Sequence, residues 1–167
     1  MLAAAHVCWH RNSGDTFVTE VRFYHLIEQT IERVLPQLLE LSLQRGWRVV
    51  VQASSEERVE ALDAHLWTYR DDSFLPHDTA RSPDAADQPI LITANDRNPN
   101  NATVRFLIDG APLPVDTAQY ERLVLIFDGN DDEAVTAARA SWAQVKAQGH
   151  TASYWQPDDS GRWVQKA

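Results

Sequence analysis

The sequence ERLVLIFDGNDDEAVTAARASWAQVKAQG, residues 121–149, predicts a buried strand that is followed directly by a helix. Its first part, ERLVLIF, is a nearly continuous apolar run, which is typical of a strand covered on both faces at the centre of a sheet. The second part places Asn130 as an N-cap, Glu133 at the capping-box position and Gly149 after the last turn. A central strand joined to a helix in this way is a building unit of α/β folds.

Strand and helix patterns alternate along the rest of the chain. A helix predicted over residues 30–45 contains Pro36, so we expect this helix to begin or bend there. Residues 78–89, DTARSPDAADQP, are small, polar and proline-bearing, and they predict an exposed loop. The remaining patterns predict strands at 18–26, 47–53, 90–94 and 104–110, a helix at 54–67 and a hairpin over 150–166.

This alternation predicts an α/β, three-layer, Rossmann-like fold in which helices flank a largely parallel sheet. The length of 167 residues and an apolar content of 44% suit one domain, which we place at residues 18–167. Residues 1–17 show no periodicity and contain the turn-prone sequence RNSGD. We therefore expect them to form a disordered N-terminal extension.

The charge and the cysteine content argue against several classes of function. A net charge of −9, from 15 basic and 24 acidic residues, opposes a nonspecific nucleic-acid surface, so we expect little direct nucleic-acid binding. The single cysteine, Cys8, can form no internal disulfide, which fits a reducing compartment. No apolar run approaches the roughly 20 residues of a membrane span. We expect a cytoplasmic protein with no membrane partner.

The sequence lacks the residues that nucleotide or metal chemistry requires. The first predicted strand continues into LIEQTIERVLP without the glycine-rich turn by which backbone amides bind phosphate. His6, Cys8 and His10 fall short of the four ligands of a closed zinc site. The acidic run within 128–133 fits helix capping better than a cation site. We predict no catalytic residue, cofactor or metal, and the alternative is a degenerate nucleotide-binding hydrolase or transferase of α/β fold.

One stretch, LDAHLWTYRDDSFLPH at residues 62–77, is difficult to bury in the protein's own core because charged residues interrupt its apolar ones. We expect these apolar residues to lie at the surface and to be covered by something else. They fall within ten positions of one another and are Trp67, Phe74, Leu75 and Pro76.

The helix predicted over residues 130–149 offers a second candidate surface. At about 100° per residue, Arg139, Trp142 and Lys146 lie within about 60° of one another. Two cations and an indole suit a ligand that is acidic and carries an apolar or aromatic end. The alternative is a solvated helix face on which Trp142 lies at the edge of the core. The residues predicted to face the sheet are Ala134, Ala137, Ala138, Ser141 and Val145.

Segments of a known family match the chain in order from Glu20 to Lys166. The most specific of them is LWTYRDDSFLPH, residues 66–77. The others are EVRFYHL, RGWRVVVQASSEERVEALDAH, QPILIT, NPNNATVRFLIDG, ERLVLIFDG, AARASW, GH, YWQ and GRW. On these segments the chain resembles the chi (χ) subunit family of bacterial DNA polymerase III.

The resemblance implies a non-catalytic accessory subunit of the polymerase III holoenzyme, associated with the clamp loader. Such a subunit has an α/β fold without a phosphate-binding loop and bridges two protein partners. It binds the psi (ψ) subunit on one surface, and on another the acidic, phenylalanine-ended C-terminal tail of single-stranded-DNA-binding protein. In some bacteria a repair helicase uses the psi face as well.

The resemblance also assigns residues to the two surfaces. The psi or helicase face would contain Trp67 and Phe74, with Leu75, Pro76 and His77 beside them.

The tail site would contain Arg139, Trp142 and Lys146, with Lys146 at a position where relatives carry arginine. Asp128 occupies a family position near the tail site that can be apolar. Family members start close to the first strand, so we hypothesise that Val18 is the native start and that residues 1–17 are an upstream extension.

Overall fold

The computed structural model describes residues 18–72 and 74–167. The predicted extension at residues 1–17 lies outside the described residues. In the described ranges the helices are α1 (Ile31–Gln44), α2 (Glu56–Thr68) and α3 (Asp132–Ala147). The strands are β1 (Glu20–Leu26), β2 (Val49–Gln52), β3 (His77–Thr79), β4 (Ile90–Thr93), β5 (Val104–Leu107), β6 (Arg122–Asp128), β7 (Thr151–Pro157) and β8 (Trp163–Gln165).

The strands form one sheet in the order β3-β4-β2-β5-β6-β1-β7-β8. Every neighbouring pair is parallel except β7 and β8, which form the predicted antiparallel hairpin. The core residues of α1 and α2 belong to one apolar cluster and those of α3 to another, so the helices cover opposite faces. These observations confirm the α/β, three-layer, Rossmann-like fold.

The apolar run that predicted a central strand forms β6, which lies between β5 and β1. Leu125 is paired with Leu107 on one side and with Phe23 on the other. Because side chains alternate along a strand, Val124 and Ile126 enter the cluster of α1 and α2, whereas Leu125 enters that of α3. Burial on both faces explains why this strand reads as a continuous apolar run.

Helix α1 continues through Pro36 because a second helix replaces the missing hydrogen bond. The helix starts at Ile31, so the predicted alternative that it begins at Pro36 is wrong. Proline has no N–H to donate to the carbonyl of Glu32, four residues earlier. The Nε2 atom of His65 in α2 lies 2.6 Å from that carbonyl oxygen and donates to it instead. A contact between helices therefore satisfies a group that the local sequence leaves unpaired.

The amino ends of the other two helices are capped by side chains. The hydroxyl of Ser55 accepts a hydrogen bond from the Arg58 amide at the start of α2. At the start of α3 the carboxylate of Asp131 accepts from the amide of Glu133 at 3.0 Å. The prediction that Asn130 is the cap is wrong by one residue, because the Asn130 amide group instead donates to the Ile27 carbonyl at 2.6 Å.

The segment predicted as an exposed loop at 78–89 contains part of a strand. Edge strand β3 reaches Thr79 and pairs in parallel with β4. Ala85, in a short 3-10 turn, is buried and belongs to the same apolar cluster as the core residues of α3. The strand escaped prediction because three residues are too few to show a period.

A buried arginine organises the half of the sheet that α3 does not cover. Arg105 of β5 is 0% exposed, and its guanidinium donates to the Gln52 side-chain oxygen at 2.6 and 3.2 Å. It also donates to the Tyr120 hydroxyl at 3.1 Å and to the carbonyls of Asn95 at 2.6 Å and Arg97 at 3.2 Å. Burial lowers the pKa of Arg105, and the interaction with Tyr120 opposes that change. These bonds hold the β4–β5 and β5–β6 loops against the sheet.

Substitution of His65 tests whether its hydrogen bond to the Glu32 carbonyl stabilises the protein. We expect His65→Ala to lower the free energy of unfolding by about 1 kcal/mol, since a partly buried acceptor loses its donor. In a Pro36→Ala background the same change should cost less than about 0.5 kcal/mol, because the helix then supplies its own N–H. Urea denaturation of the four proteins measures the coupling, and equal costs in the two backgrounds would contradict it.

Removal of the guanidinium tests the role of Arg105. We expect Arg105→Met to lower the free energy of unfolding by about 3 kcal/mol or more, because several buried acceptors lose their donor together. The matched control is Arg97→Met, which changes an exposed side chain and should cost less than about 0.5 kcal/mol. Chemical denaturation of both variants decides the matter, and similar costs would show that the buried network is dispensable.

Candidate functional site

A pocket of about 360 Å³ lies between α3 and the carboxyl-terminal halves of β1, β6 and β7. We call it the α3 pocket. Strands contribute its floor and the helix contributes one wall. The lining residues are Phe23, His25, Phe127, Val135, Ala138, Arg139, Trp142, Tyr154 and Ala167.

Strand register brings the aromatic floor of the α3 pocket together. His25 of β1 is paired with Phe127 of β6, and Phe23 of β1 is paired with Tyr154 of β7. Paired residues on parallel strands share a face of the sheet, so these rings line the same side. The ring centroids of His25 and Phe127 are 5.1 Å apart, and those of His25 and Tyr154 are 5.7 Å apart.

The residues predicted on the exposed face of α3 have different positions around the pocket. Arg139 is exposed and lines the pocket, and no carboxylate in the described part of the chain forms a salt bridge with it. Trp142 is half-buried and makes an edge contact with Phe23 at 5.2 Å, so it is both a pocket wall and a residue at the core edge. The Lys146 ammonium lies over the Trp142 ring at 5.4 Å and is not among the lining residues.

The buried side of α3 is narrower than the sequence predicts. Ala138 and Val145 are buried as expected, and Ala134 and Ser141 are half-buried. Ala137 is exposed, so its predicted position toward the sheet is wrong.

A hydrogen-bonded histidine, His25, is one of the residues that line the pocket. His25 Nδ1 and the Tyr154 hydroxyl are hydrogen-bonded, and the Gln156 amide group donates to the same hydroxyl at 3.0 Å. Partial burial lowers the pKa of His25, and the charge of Asp128 opposes this change. The imidazole also requires a glycine beside it, since a Cβ at Gly129 would lie 1.7 Å from His25 Nε2.

The acidic residues beside the pocket form hydrogen bonds within the turn between β6 and α3. The Asp128 carboxylate accepts a hydrogen bond from the backbone N–H of Asn130 at 2.9 Å, and Asp131 caps α3. Within residues 18–72 and 74–167, no three histidine, cysteine or acidic side chains are grouped so that they could hold a metal ion. The acids therefore shape the strand-to-helix turn.

A second candidate surface lies where α2 ends and β3 begins. Trp67 is 50% exposed and Phe74 is 70% exposed, and their ring centroids are 5.8 Å apart. Pro76 beside them is half-buried. We call these three residues the Trp67 patch, and large exposed aromatic groups of this kind are typical of contact surfaces.

Two residues predicted on this surface are buried. Leu75 is 1% exposed and belongs to the core cluster of α1 and α2, and His77 is 2% exposed. The expectation that Leu75 lies at the surface is therefore wrong, and His77 is also not accessible to a partner. Leu75 packs into the core cluster of α1 and α2, and His77 is the first residue of β3, which pairs with β4.

His77 supports the Trp67 patch from below. Its ring centroid lies 4.4 Å from that of Trp67. Its Nδ1 donates to the Leu75 carbonyl at 2.6 Å, and its Nε2 lies 3.2 Å from the backbone oxygen of Asp63 in α2. The indole therefore rests on a buried ring that is held by its hydrogen bond to the Leu75 carbonyl, which leaves the opposite side of Trp67 for solvent or a partner.

The Trp67 patch and the α3 pocket lie on different parts of the molecule. The patch adjoins α2 and edge strand β3, whereas the pocket lies on the opposite face against β6, β1 and β7. Four strand spacings separate β3 from β6, which corresponds to about 19 Å across the sheet. A ligand at one surface leaves the other accessible.

The structure adds Phe23, His25, Phe127 and Tyr154 to the residues that the sequence pattern predicted for the pocket. Their alternation along β1, β6 and β7 shows that each faces one side of a sheet, but not which strands are neighbours.

No helix in the described part of the chain has the length and apolar character needed to cross a membrane.

The comparisons with known proteins agree with this architecture. The model of the family described as DNA polymerase III chi subunit, HolC, matches residues 18–153. A similar protein is the probable DNA polymerase III subunit chi of Rickettsia prowazekii (strain Madrid E), which is 29% identical over 122 residues. That match covers 67% of this chain and 72% of the relative. Because the family model spans most of the chain, the chain belongs to the DNA polymerase III chi subunit family.

Proposed function

We propose that this chain is a non-catalytic accessory subunit of the DNA polymerase III holoenzyme that bridges two proteins. The psi subunit binds the Trp67 patch, and the C-terminal tail of single-stranded-DNA-binding protein binds the α3 pocket. The observation that carries the proposal is the presence of two separate surfaces of different chemistry on opposite faces of one sheet. A connector requires this arrangement, since both ligands must be held at once.

The chemistry of the α3 pocket suits an acidic tail that ends in phenylalanine. Arg139 is exposed beside an aromatic floor and has no carboxylate partner among the described residues, so its guanidinium is available to pair with the tail's carboxylate. Phe127 and Trp142 offer ring surfaces against which a phenylalanine side chain packs. Lys146, held over Trp142, adds positive charge along the path of the preceding acidic residues.

The chemistry of the Trp67 patch suits an apolar groove on a partner. Trp67 and Phe74 are large, exposed and in mutual contact, which is typical of the few residues that carry most of the energy of an interface. Leu75 and His77 contribute by fixing the turn and the indole rather than by touching the partner. A repair helicase that uses this patch would compete with psi, because one patch cannot hold two proteins.

Exchange of single anchors tests whether the two surfaces act independently. We expect Trp67→Ala to weaken psi binding by about thirtyfold or more, since truncation of a central aromatic anchor commonly costs about 2 kcal/mol or more. Tail binding should stay within about twofold of wild type. Arg139→Ala should have the reverse effect. Calorimetric titration with purified psi, and with a peptide copying the tail, measures both affinities.

Two matched controls and a salt series complete this experiment. Val115→Ala removes an apolar side chain that is 95% exposed, and Arg33→Ala removes an exposed guanidinium from α1, so both should leave the two affinities unchanged. Tail affinity of the wild type should fall as salt is added, because exposed charge pairs are screened. Loss of both partners in either anchor variant would contradict independent surfaces.

A further inference from the structure

A second groove, of about 190 Å³, lies under the carboxyl-terminal end of α1 and over the amino ends of β1, β5 and β6. We call it the α1 groove. Its floor consists of buried side chains of the sheet, including Tyr24, Phe106 and Val124. Leu41 of α1 lines it and is 50% exposed, so an apolar side chain at its edge lacks a cover. The groove lies on the face of the sheet opposite the α3 pocket.

Positive charge is concentrated in this groove although the chain as a whole carries a net charge of −9. Arg22, Arg45 and Arg122 line it. Glu20 forms salt bridges with Arg22 at 2.7 Å and with Arg122 at 2.9 Å. Burial raises the pKa of Glu20, but hydrogen bonds from the two arginines outweigh this and lower the pKa below its usual value. One carboxylate therefore pairs with two of the three guanidinium groups that line the groove.

Of the three arginines that line the groove, Arg45 has the least negative charge close to it. It is exposed, and no carboxylate of the described residues lies within salt-bridge distance of it. Its guanidinium lies 5.0 Å from the centroid of the Trp47 ring, where the indole orients it beside the groove. The groove thus offers at its edge an exposed guanidinium that is available to pair with an anion.

The aromatic rings of the groove are poorly placed to stack on nucleic-acid bases. Arg45 and Arg122 both lie over Trp47, at 5.0 and 4.6 Å. Arg22 lies over Trp155 at 4.9 Å, and that indole also stacks on Tyr24. Single-stranded nucleic acids bind through aromatic faces that are open to successive bases, and here guanidinium groups cover the faces of Trp47 and Trp155. The floor is apolar, which suits an aliphatic or aromatic side chain instead.

From this combination we propose that the α1 groove binds an acidic peptide segment of a partner protein. One bulky apolar side chain inside the segment enters the groove beside Leu41, and acidic residues flanking it pair with Arg45 and with the partly compensated Arg22 and Arg122. The ligand differs from the one proposed for the α3 pocket, because the groove takes an internal side chain and requires no terminal carboxylate. The two proposals therefore stand independently.

The test uses fluorescence anisotropy with the full chain and a labelled peptide of sequence DEEDFDEED, blocked at both ends. We expect saturable binding. It should weaken about threefold in the Arg45→Gln variant and about tenfold in the double variant that carries both Leu41→Gln and Arg45→Gln. Arg33→Gln is the matched control, since it removes an exposed guanidinium from α1, the helix whose C-cap is Arg45, at a position away from the groove. It should leave the affinity unchanged, and so should Arg139→Gln.

Three results would overturn the proposal. The first is no saturable binding of the acidic peptide, or equal binding of the uncharged peptide NQQNFNQQN. The second is loss of binding in Arg139→Gln with no change in Arg45→Gln, which would place the peptide in the α3 pocket. The third is tighter binding of an oligothymidylate that is lost in Arg45→Gln, which would assign the groove to single-stranded DNA. Both groove positions are exposed, so thermal unfolding of their variants should match the wild type.

Discussion

The parallel pairing of β1 between β6 and β7 is the constraint on which the rest of the molecule depends. It places Phe23, Phe127 and Tyr154, which are far apart in the sequence, on one face of the sheet, where they form the floor of the α3 pocket. The same pairing turns Tyr24 and Trp155 to the other face, where they line the α1 groove. Because alternate residues of a strand face opposite sides, a shift of register by one residue would exchange the two sets and remove both cavities.

Polar contacts between distant parts of the chain compensate where the local pattern is interrupted. Pro36 breaks the hydrogen bonding of α1, and His65 of α2 supplies the missing donor. On the part of the sheet that α3 does not cover, Arg105 donates to the backbone of the β4–β5 loop. Such polar groups are costly to bury unless each has its hydrogen-bond partners. They therefore favour the one packing of helices and sheet in which those partners are present.

The proposed binding surfaces follow from this frame. The Trp67 patch is exposed because a turn carries Phe74 outward while Leu75 and His77 hold the turn to the core. The α3 pocket exists because α3 approaches the sheet through small side chains such as Ala138, which leaves space beside Arg139 and Trp142. Each surface combines an accessible aromatic group with a rigid support, and a rigid anchor loses little freedom when a partner binds.

Much of the fold could be predicted from the sequence, because strand alternation, helix periodicity and helix ends are set by residues within a few positions of one another. On that basis the sequence alone indicated β6, α3, the α/β class, and Arg139 and Trp142 as accessible on one helix face. It placed Leu75 at the surface and Asn130 at the helix cap, and both predictions were wrong, since burial and capping depend on where the chain turns. Only the tertiary structure decided the strand order, the aromatic floor under Arg139 and the grouping of arginines beneath α1. Those features bring together residues that are about a hundred positions or more apart in the sequence. The strand pairing that joins them leaves no local pattern in the sequence.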